Sequence, residues 1–158
     1  MWKLARSILG VVVGMLLAMA LITGIDALNH TLYPPPAAVI EAGTNMQAAA
    51  SAIKEWLPHA PLGALVLIPT AWIVATFAGT LAAALIAGRA PLIHALLAGL
   101  LPLAGTVMVL RMIPHPIWLA VAGLAGVPLA SLAAGMLVQK AWSTGPKPYD
   151  MREKNMAC

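Results

Sequence analysis

Polar side chains that could do chemistry are few in this sequence, and they stand at the ends of long apolar segments. Asp26 and His30 are four residues apart in the stretch DALNHTLYPPP, where the first apolar segment stops. Side chains four residues apart lie on one face of a helix, so we expect this carboxylate and imidazole to be neighbours. His59, Arg111 and His115 stand at the boundaries of later segments.

Two interpretations of these side chains are open. In the functional one, Asp26 pairs with Arg111, while His30 and His115 line an outward-facing pocket. Such a pocket could hold a metal ion, relay protons or bind an anionic group. Carboxylates and imidazoles are common zinc ligands, and a zinc site needs three or four of them. The candidate metal ligands are Asp26, His30, His59 and His115. They come from three separate segments, so their spacing is a weak metal motif. The structural alternative is an ion pair between Asp26 and Arg111, because charges at a membrane boundary are usually paired.

The composition predicts that the lipid bilayer surrounds this chain. Of its 158 residues, 61% are hydrophobic and only 9% are charged, whereas about 25% of a soluble domain is charged. So much apolar surface cannot be buried inside one small globule, whose ratio of surface to volume is high. The net charge of +4 does not indicate nucleic-acid binding, because the basic residues flank apolar segments and form no patch.

Four segments are long and apolar enough to span a membrane, which takes about 20 residues. They cover approximately residues 7–28, 62–88, 91–111 and 117–139. The link Met112–Pro116 is so short that the third and fourth helices must be antiparallel neighbours. We therefore predict an all-α membrane protein, with an antiparallel bundle of four transmembrane helices in residues 1–142 and a polar cytoplasmic tail in residues 143–158.

The segment 34–60 is the only long polar stretch between the predicted spans. Pro34, Pro35 and Pro36 cannot continue a helix. Helix-forming residues follow, with apolar positions at helical spacing and Thr44 or Asn45 as a capping residue. The pattern predicts a short helix that lies on the membrane surface or over the mouth of the bundle. The alternative is a mobile loop.

The distribution of basic residues predicts the orientation of the bundle. Cytoplasmic loops carry an excess of Lys and Arg. With both termini inside, the cytoplasmic side holds Lys3, Arg6, Arg89, Lys140, Lys147, Arg152 and Lys154. The outer side holds only Lys54 and Arg111. This bias predicts a multi-pass protein of the inner (cytoplasmic) membrane of a bacterium, with segment 34–60 and the polar candidates, Asp26, His30, His59, Arg111 and His115, at the periplasmic end.

Small residues recur at every fourth position in three of the predicted helices. In a bilayer, helices associate through close backbone approach at such residues. The predicted packing residues are Gly10, Gly14, Ala75, Gly79, Ala83, Ala122, Gly126 and Ala130. The stripes predict contact inside one bundle, and they also allow a homo-oligomer or docking onto a larger membrane complex.

Two stretches resemble the signatures of a known family. Residues His30–Pro36 (HTLYPPP) and Met112–Trp118 (MIPHPIW) are similar to the LYPPP and MIPHPxW signatures of a family of small four-helix bacterial inner-membrane proteins. Pro61–Leu65 and the pair Ala71–Trp72 are similar as well, and the resemblance covers roughly residues 1–138. Since that family is known only as uncharacterised, the resemblance implies a fold and a compartment, and no activity.

Three functions are compatible with the sequence. No phosphate-binding loop, HExxH, GxSxG or CxxC motif is present, so we expect a non-enzymatic protein without a cofactor. The small-residue stripes favour an accessory or structural subunit of a larger membrane complex. The first alternative is an oligomeric transporter of a small solute or ion that uses the outward-facing Asp, His and Arg cluster. The second is a metal-dependent membrane enzyme.

Overall fold

Four long helices and two short ones make up the computed structural model, which describes residues 2–144. In chain order the helices are α1 (Trp2–Leu32), α2 (Ala37–Glu41), α3 (Met46–Trp56), α4 (Leu62–Ala87), α5 (Pro91–Met112) and α6 (Ile117–Thr144). A 3-10 turn, Leu57–His59, joins α3 to α4. The helices α1, α4, α5 and α6 are each long and apolar enough to cross a membrane. The prediction of an all-α fold with four spanning helices is therefore confirmed.

Two of the long helices, α1 and α6, extend four or five residues beyond the predicted spans. α1 begins at Trp2 and ends at Leu32, just before the prolines 34–36. A proline disfavours the helical conformation of the residue before it, which explains this end. α6 continues to Thr144, so the first two residues of the predicted tail belong to a helix. The remainder of that tail, with Cys158, lies outside the described residues.

A short turn makes α4 and α5 antiparallel neighbours. Gly88 ends α4 with a φ of 69°, in the left-handed region that glycine adopts without steric cost. Pro91 opens α5 at a position where its missing N–H has no partner to lose. His94 is buried in the first turn of α5, with Nδ1 3.0 Å from the carbonyl oxygen of Ala90. Because a carbonyl oxygen can only accept, Nδ1 donates, and the start of α5 satisfies this nitrogen of the imidazole.

Small residues bring α1 and α4 into close backbone contact along what we call the α1–α4 seam. Gly10 and Gly14 are buried, and a Cβ at Gly10 would lie 2.8 Å from the carbonyl oxygen of Ala83. A Cβ at Gly79 would lie 2.5 Å from the carbonyl oxygen of Gly14. Such close approach favours association in lipid, where apolar side chains gain little by leaving the hydrocarbon. The seam therefore fixes the position of α1.

α4 lies at the centre of the bundle and contacts α1, α5 and α6. Its Ala75 and Ala83 are fully buried between these neighbours. α5 and α6 approach each other where Gly99 leaves room for the side chain of Ser131. Two of the three small-residue stripes are thus buried within one chain.

The stripe on α6 is only partly buried. Ala130 is buried, but Ala122 and Gly126 are half-buried. Both Gly126 and its neighbour Gly123 make close contacts with α4. A Cβ at Gly126 would meet the side chain of Ile73, and a Cβ at Gly123 would lie 2.8 Å from the ring of Trp72. The predicted Gly126 is thus at the contact with α4, together with Gly123, which the spacing of small residues did not predict.

Segment 34–60 folds over the end of the bundle where α1 ends and α4 begins. Asn45 caps α3, because its Oδ1 accepts hydrogen bonds from two backbone N–H groups of the first turn. Leu57 is buried in the core cluster that contains Trp72, and Ile53 packs against the same cluster. The structure therefore contains the predicted short helix in place of a loop, packed against the bundle.

Candidate functional site

Polar side chains line a cavity at the end of the bundle where α1 and α5 end and α4 and α6 begin. The cavity has a volume of about 230 Å³, and we call it the polar cleft. The lining residues that bear its chemistry are Asp26, Asn29, His30, Tyr33, Trp72 and His115. The structure therefore brings Asp26, His30 and His115, three of the predicted site residues, to one place.

α1 supplies four of these residues. Asp26, Asn29, His30 and Tyr33 recur at spacings of three and four, so they lie on one face of the helix. Asp26 is half-buried, and His30, one turn further along α1, is exposed. Within residues 2–144, the carboxylate of Asp26 makes no salt bridge and no hydrogen bond. It is thus a free acceptor at the wall of the cleft.

Asn29 is buried beside Asp26, with only 8% of its surface exposed. Its Nδ2 donates a hydrogen bond of 3.2 Å to the carbonyl oxygen of Ala64, which ties α1 to the start of α4. Its Oδ1 is buried and has no hydrogen-bond partner in the described part of the chain. A buried acceptor left unmet costs about 1–3 kcal/mol. A donor brought by a ligand would remove this cost.

His115 closes the cleft from the link between α5 and α6. Its Nδ1 lies 2.7 Å from the carbonyl oxygen of Ile113, which can only accept, so Nδ1 carries the hydrogen and donates it. In the neutral imidazole, Nε2 is then an acceptor. The ring meets Trp72 edge to face, with 6.4 Å between ring centroids and 64° between planes. This contact fixes the imidazole against a wall of the cleft.

Arg111 lies away from the polar cleft, so the structure does not bring the predicted Asp26–Arg111 ion pair together. Arg111 lines a different, open cavity on α5 with Ala104 and Met108. The buried face of α5 includes Thr106. Five residues further along, a side chain has turned by about 140° around the helix axis, which directs Arg111 away from α1.

His59 also lies outside the polar cleft, where it is exposed at the end of the 3-10 turn. The turn buries Leu57, and a residue two positions later in a 3-10 turn faces a different direction. In the described part of the chain, no group of three or more His, Cys, Asp or Glu side chains is placed to hold a metal ion. The four candidate ligands Asp26, His30, His59 and His115 do not form one site.

Sequence reasoning missed three residues of the polar cleft. Asn29 stands three residues after Asp26, so the helical period that paired Asp26 with His30 could also have found it. Tyr33 belongs to the LYPPP stretch, and its hydroxyl packs against Gly63 at the start of α4. Trp72 carried no local signal, because its place in the cleft depends on how α4 packs against the other helices.

The polar cleft is rich in acceptors and contains aromatic faces. Asp26 offers a carboxylate, Asn29 an unmet amide oxygen and His115 an imidazole nitrogen. Aromatic faces attract cations through their quadrupole, most strongly in tryptophan, and Trp56 and Trp72 both line the cleft. Such a set of groups can bind a ligand that brings positive charge, N–H donors, or both.

No family model, curated protein or solved structure matches this chain. The resemblance to a family of four-helix inner-membrane proteins therefore stays a prediction. The structure shows where its two signatures lie: Tyr33 and Pro35 of LYPPP line the polar cleft, and so do Ile113 and His115 of MIPHPxW. Two stretches about 80 residues apart in sequence thus meet at one cavity.

Proposed function

We propose that this integral membrane protein is non-enzymatic and binds a small cationic, N–H-donating group in the polar cleft. One observation carries the proposal: Asp26 and Asn29 line the same cleft, and the carboxylate of Asp26 and the buried Oδ1 of Asn29 have no partner in residues 2–144. A polar group at a membrane boundary is costly unless it is paired. A ligand with a positive charge and N–H groups would pair both at once.

The packing below the cleft favours a protein that binds a ligand over one that transports it through the bundle. The interior of the α4, α5 and α6 contact is filled by fully buried alanines, among them Ala84, Ala95 and Ala134. Two of the buried hydroxyls there bond to their own helices, since Thr80 donates to the carbonyl oxygen of Thr76 at 2.7 Å and Ser131 donates to that of Val127 at 3.2 Å. The Thr76 hydroxyl has no partner in the described residues. A transporter would need a polar path through the bundle, so transport is less well supported than ligand binding as a function of the cleft.

The bacterial inner membrane and cytoplasmic termini are part of this proposal. Their support is the excess of Lys and Arg that the sequence places at the opposite end of the bundle from Asp26. In this orientation the polar cleft opens at the outer face of the membrane.

An accessory role in a larger complex, or self-association, is the second candidate function. Gly10 and Gly14 are buried against α4, so that stripe is not free to bind a partner. A different small-residue face on the outer half of α1 is exposed. It consists of Ala20, Thr23, Gly24, Ala27 and Thr31. Such a face is typical of helix association in lipid, and purification in mild detergent would test it by recovering a dimer or a defined larger complex.

Thermal unfolding of the purified full chain in detergent tests the proposed binding directly. Ethanolamine, sodium, zinc and acetate would each be added over a concentration series. A ligand at ten times its dissociation constant stabilises a protein by about 1.4 kcal/mol, so we expect a saturable rise in melting temperature with ethanolamine and loss of this rise in Asp26→Asn. A response to ethanolamine no greater than to sodium would overturn the proposal, and a saturable response to zinc alone would replace it with the metal-binding hypothesis.

A further inference from the structure

An apolar groove lies beside the polar cleft, between α1 and α5. Its volume is about 590 Å³. The residues that define it here are Met15, Met19 and Ile22 on α1, and Leu101, Gly105 and Met108 on α5. We call this feature the apolar groove.

The apolar groove and the polar cleft adjoin each other. Trp72 and Val109 line both of them. On α1, Ile22 lines the groove and Asp26 lines the cleft. These residues are four apart and therefore lie on the same helix face. A single molecule with a polar head and an apolar chain would contact both cavities along one continuous stripe of α1.

The groove has space for an occupant. A Cβ built on Gly105 would meet no atom within 4 Å, outside its own helix and chain neighbours. Met15, Met19 and Met108 line the groove as well, and methionine side chains adapt to irregular apolar shapes. The surface is thus suited to a flexible hydrocarbon chain.

We propose that the ligand is a phospholipid with an ethanolamine-type ammonium head, whose head occupies the polar cleft and whose acyl chain occupies the apolar groove. This inference rests on the proposed function, since it names the molecule that carries the N–H-donating group. The occupant is one lipid of the surrounding bilayer, selected by its head.

The acceptors of the cleft determine which head fits. A primary ammonium has three N–H donors and can satisfy both the Asp26 carboxylate and the Asn29 Oδ1. A trimethylammonium head carries the same charge but has no N–H to donate. A glycerol head on an anionic phosphate would bring net negative charge toward Asp26. The cleft therefore selects an ethanolamine head over choline and glycerol heads.

The polar end of the groove argues for a lipid and against a partner helix. An apolar transmembrane helix laid along the groove would cover Asp26 and leave Asn29 Oδ1 still unmet, at a cost. A lipid ends in polar atoms at the same depth as these side chains. Charge complementarity and continuity with the cleft thus favour the same occupant.

Competitive lipid binding measured by native mass spectrometry tests the inference. The full chain in detergent would be incubated with ethanolamine, choline and glycerol phospholipids that have identical acyl chains and equal concentrations. We expect the ethanolamine lipid to be bound about tenfold more than either competitor, and Asp26→Asn to abolish this preference, because a charge-assisted hydrogen bond is lost. Equal binding of the three lipids would overturn the inference.

A pair of leucine variants tests the groove. Gly105→Leu places a side chain in the groove, at a position where a Cβ meets no atom within 4 Å. Ala133→Leu places the same side chain at an exposed position of α6 that does not line the groove. We expect Gly105→Leu to lower ethanolamine-lipid binding about tenfold and Ala133→Leu to leave it unchanged. Unchanged binding in Gly105→Leu would show that the acyl chain does not occupy the groove.

The remaining outcomes separate this inference from the proposed function. If free ethanolamine raises the melting temperature but the ethanolamine lipid has no preference, the cleft binds a soluble amine and the lipid assignment is wrong. If a dimer forms and Gly105→Leu abolishes it, a second copy of the chain occupies the groove, and the lipid assignment is again wrong. If neither ethanolamine nor its lipid binds, both proposals fail together.

Discussion

The two ends of the α1–α4 contact both place polar side chains beside a cavity, and they differ in whether those side chains have partners within the protein. At the polar cleft, Asp26 and Asn29 Oδ1 are without partners in the described part of the chain. At the opposite end, a cavity of about 340 Å³ is lined by Lys3, Arg6 and Arg89. We call this region the cationic end.

The arginines of the cationic end already have partners inside the chain. Arg6 donates through Nε and Nη2 to the carbonyl oxygen of Ile86, at 3.2 and 3.0 Å. Arg89 donates through Nε to Ser7 Oγ at 3.2 Å. A cation at the end of α4 also interacts favourably with the helix dipole. Both ends are polar, but the two arginines of the cationic end bond to the protein itself, whereas Asp26 and Asn29 Oδ1 do not. This contrast separates a structural cluster from a candidate site.

The largest loss of stability is expected from a substitution between the two ends, because the α1–α4 seam holds both ends in place. A Cβ at Gly14 would lie 2.9 Å from the Cβ of Ala83 and closer still to the backbone of Gly79. Overpacking of this kind costs about 3 kcal/mol when backbone must move. We expect Gly14→Val to lower the melting temperature in detergent strongly.

Gly24→Val is the matched control for that experiment. Gly24 is on the same helix, and a Cβ there meets no atom within 4 Å. If Gly14→Val and Gly24→Val melted alike, the close helix approach would not be what positions the polar cleft and the cationic end.

An intermediate loss of stability is expected from a substitution at the cationic end. Arg6→Gln removes donors that satisfy the carbonyl oxygen of Ile86, which should cost about 1 kcal/mol of stability. Lys3→Gln removes the same charge from the same end, but the Lys3 side chain has no hydrogen bond in the described part of the chain. Thermal unfolding should therefore distinguish the two variants. Equal losses would mean that net charge, and not the contact with α4, is what matters at this end.

The smallest effect on stability is expected at the polar cleft. Asp26→Asn keeps the shape of the side chain and breaks no ion pair, because Arg111 lies in a different cavity. We expect the free energy of unfolding without ligand to change by less than about 0.5 kcal/mol, as for most substitutions away from a paired group. A loss as large as that of Gly14→Val would show that Asp26 has a structural partner after all.

The helices could be predicted from the sequence because the bilayer leaves few alternatives. A run of about 20 uncharged apolar residues has to satisfy its backbone internally, and the helix does so. The helix ends were less exact, since α1 and α6 continue through polar residues as far as Leu32 and Thr144. Helical spacing predicted that Asp26 and His30 are neighbours, and the predicted topology placed His115 at the same end of the bundle.

The rest of the site depended on helix rotation, which spacing along the chain does not determine. Contacts with α4 and α6 turn the buried face of α5 so that Arg111 faces away from Asp26. Trp72 packs against Gly123 of α6 and is also a wall of the cleft. Both outcomes result from side-chain volume at a helix contact, a property of two helices together.

The most direct test of the central claim compares ligand binding in variants at the two ends. Calorimetric titration of ethanolamine into the wild type, Arg6→Gln and Asp26→Asn would measure the dissociation constant for each protein. If the polar cleft is the binding site and the cationic end is structural, Arg6→Gln will bind as the wild type does, and Asp26→Asn will bind about tenfold more weakly or not at all. Undiminished binding in Asp26→Asn would contradict the account.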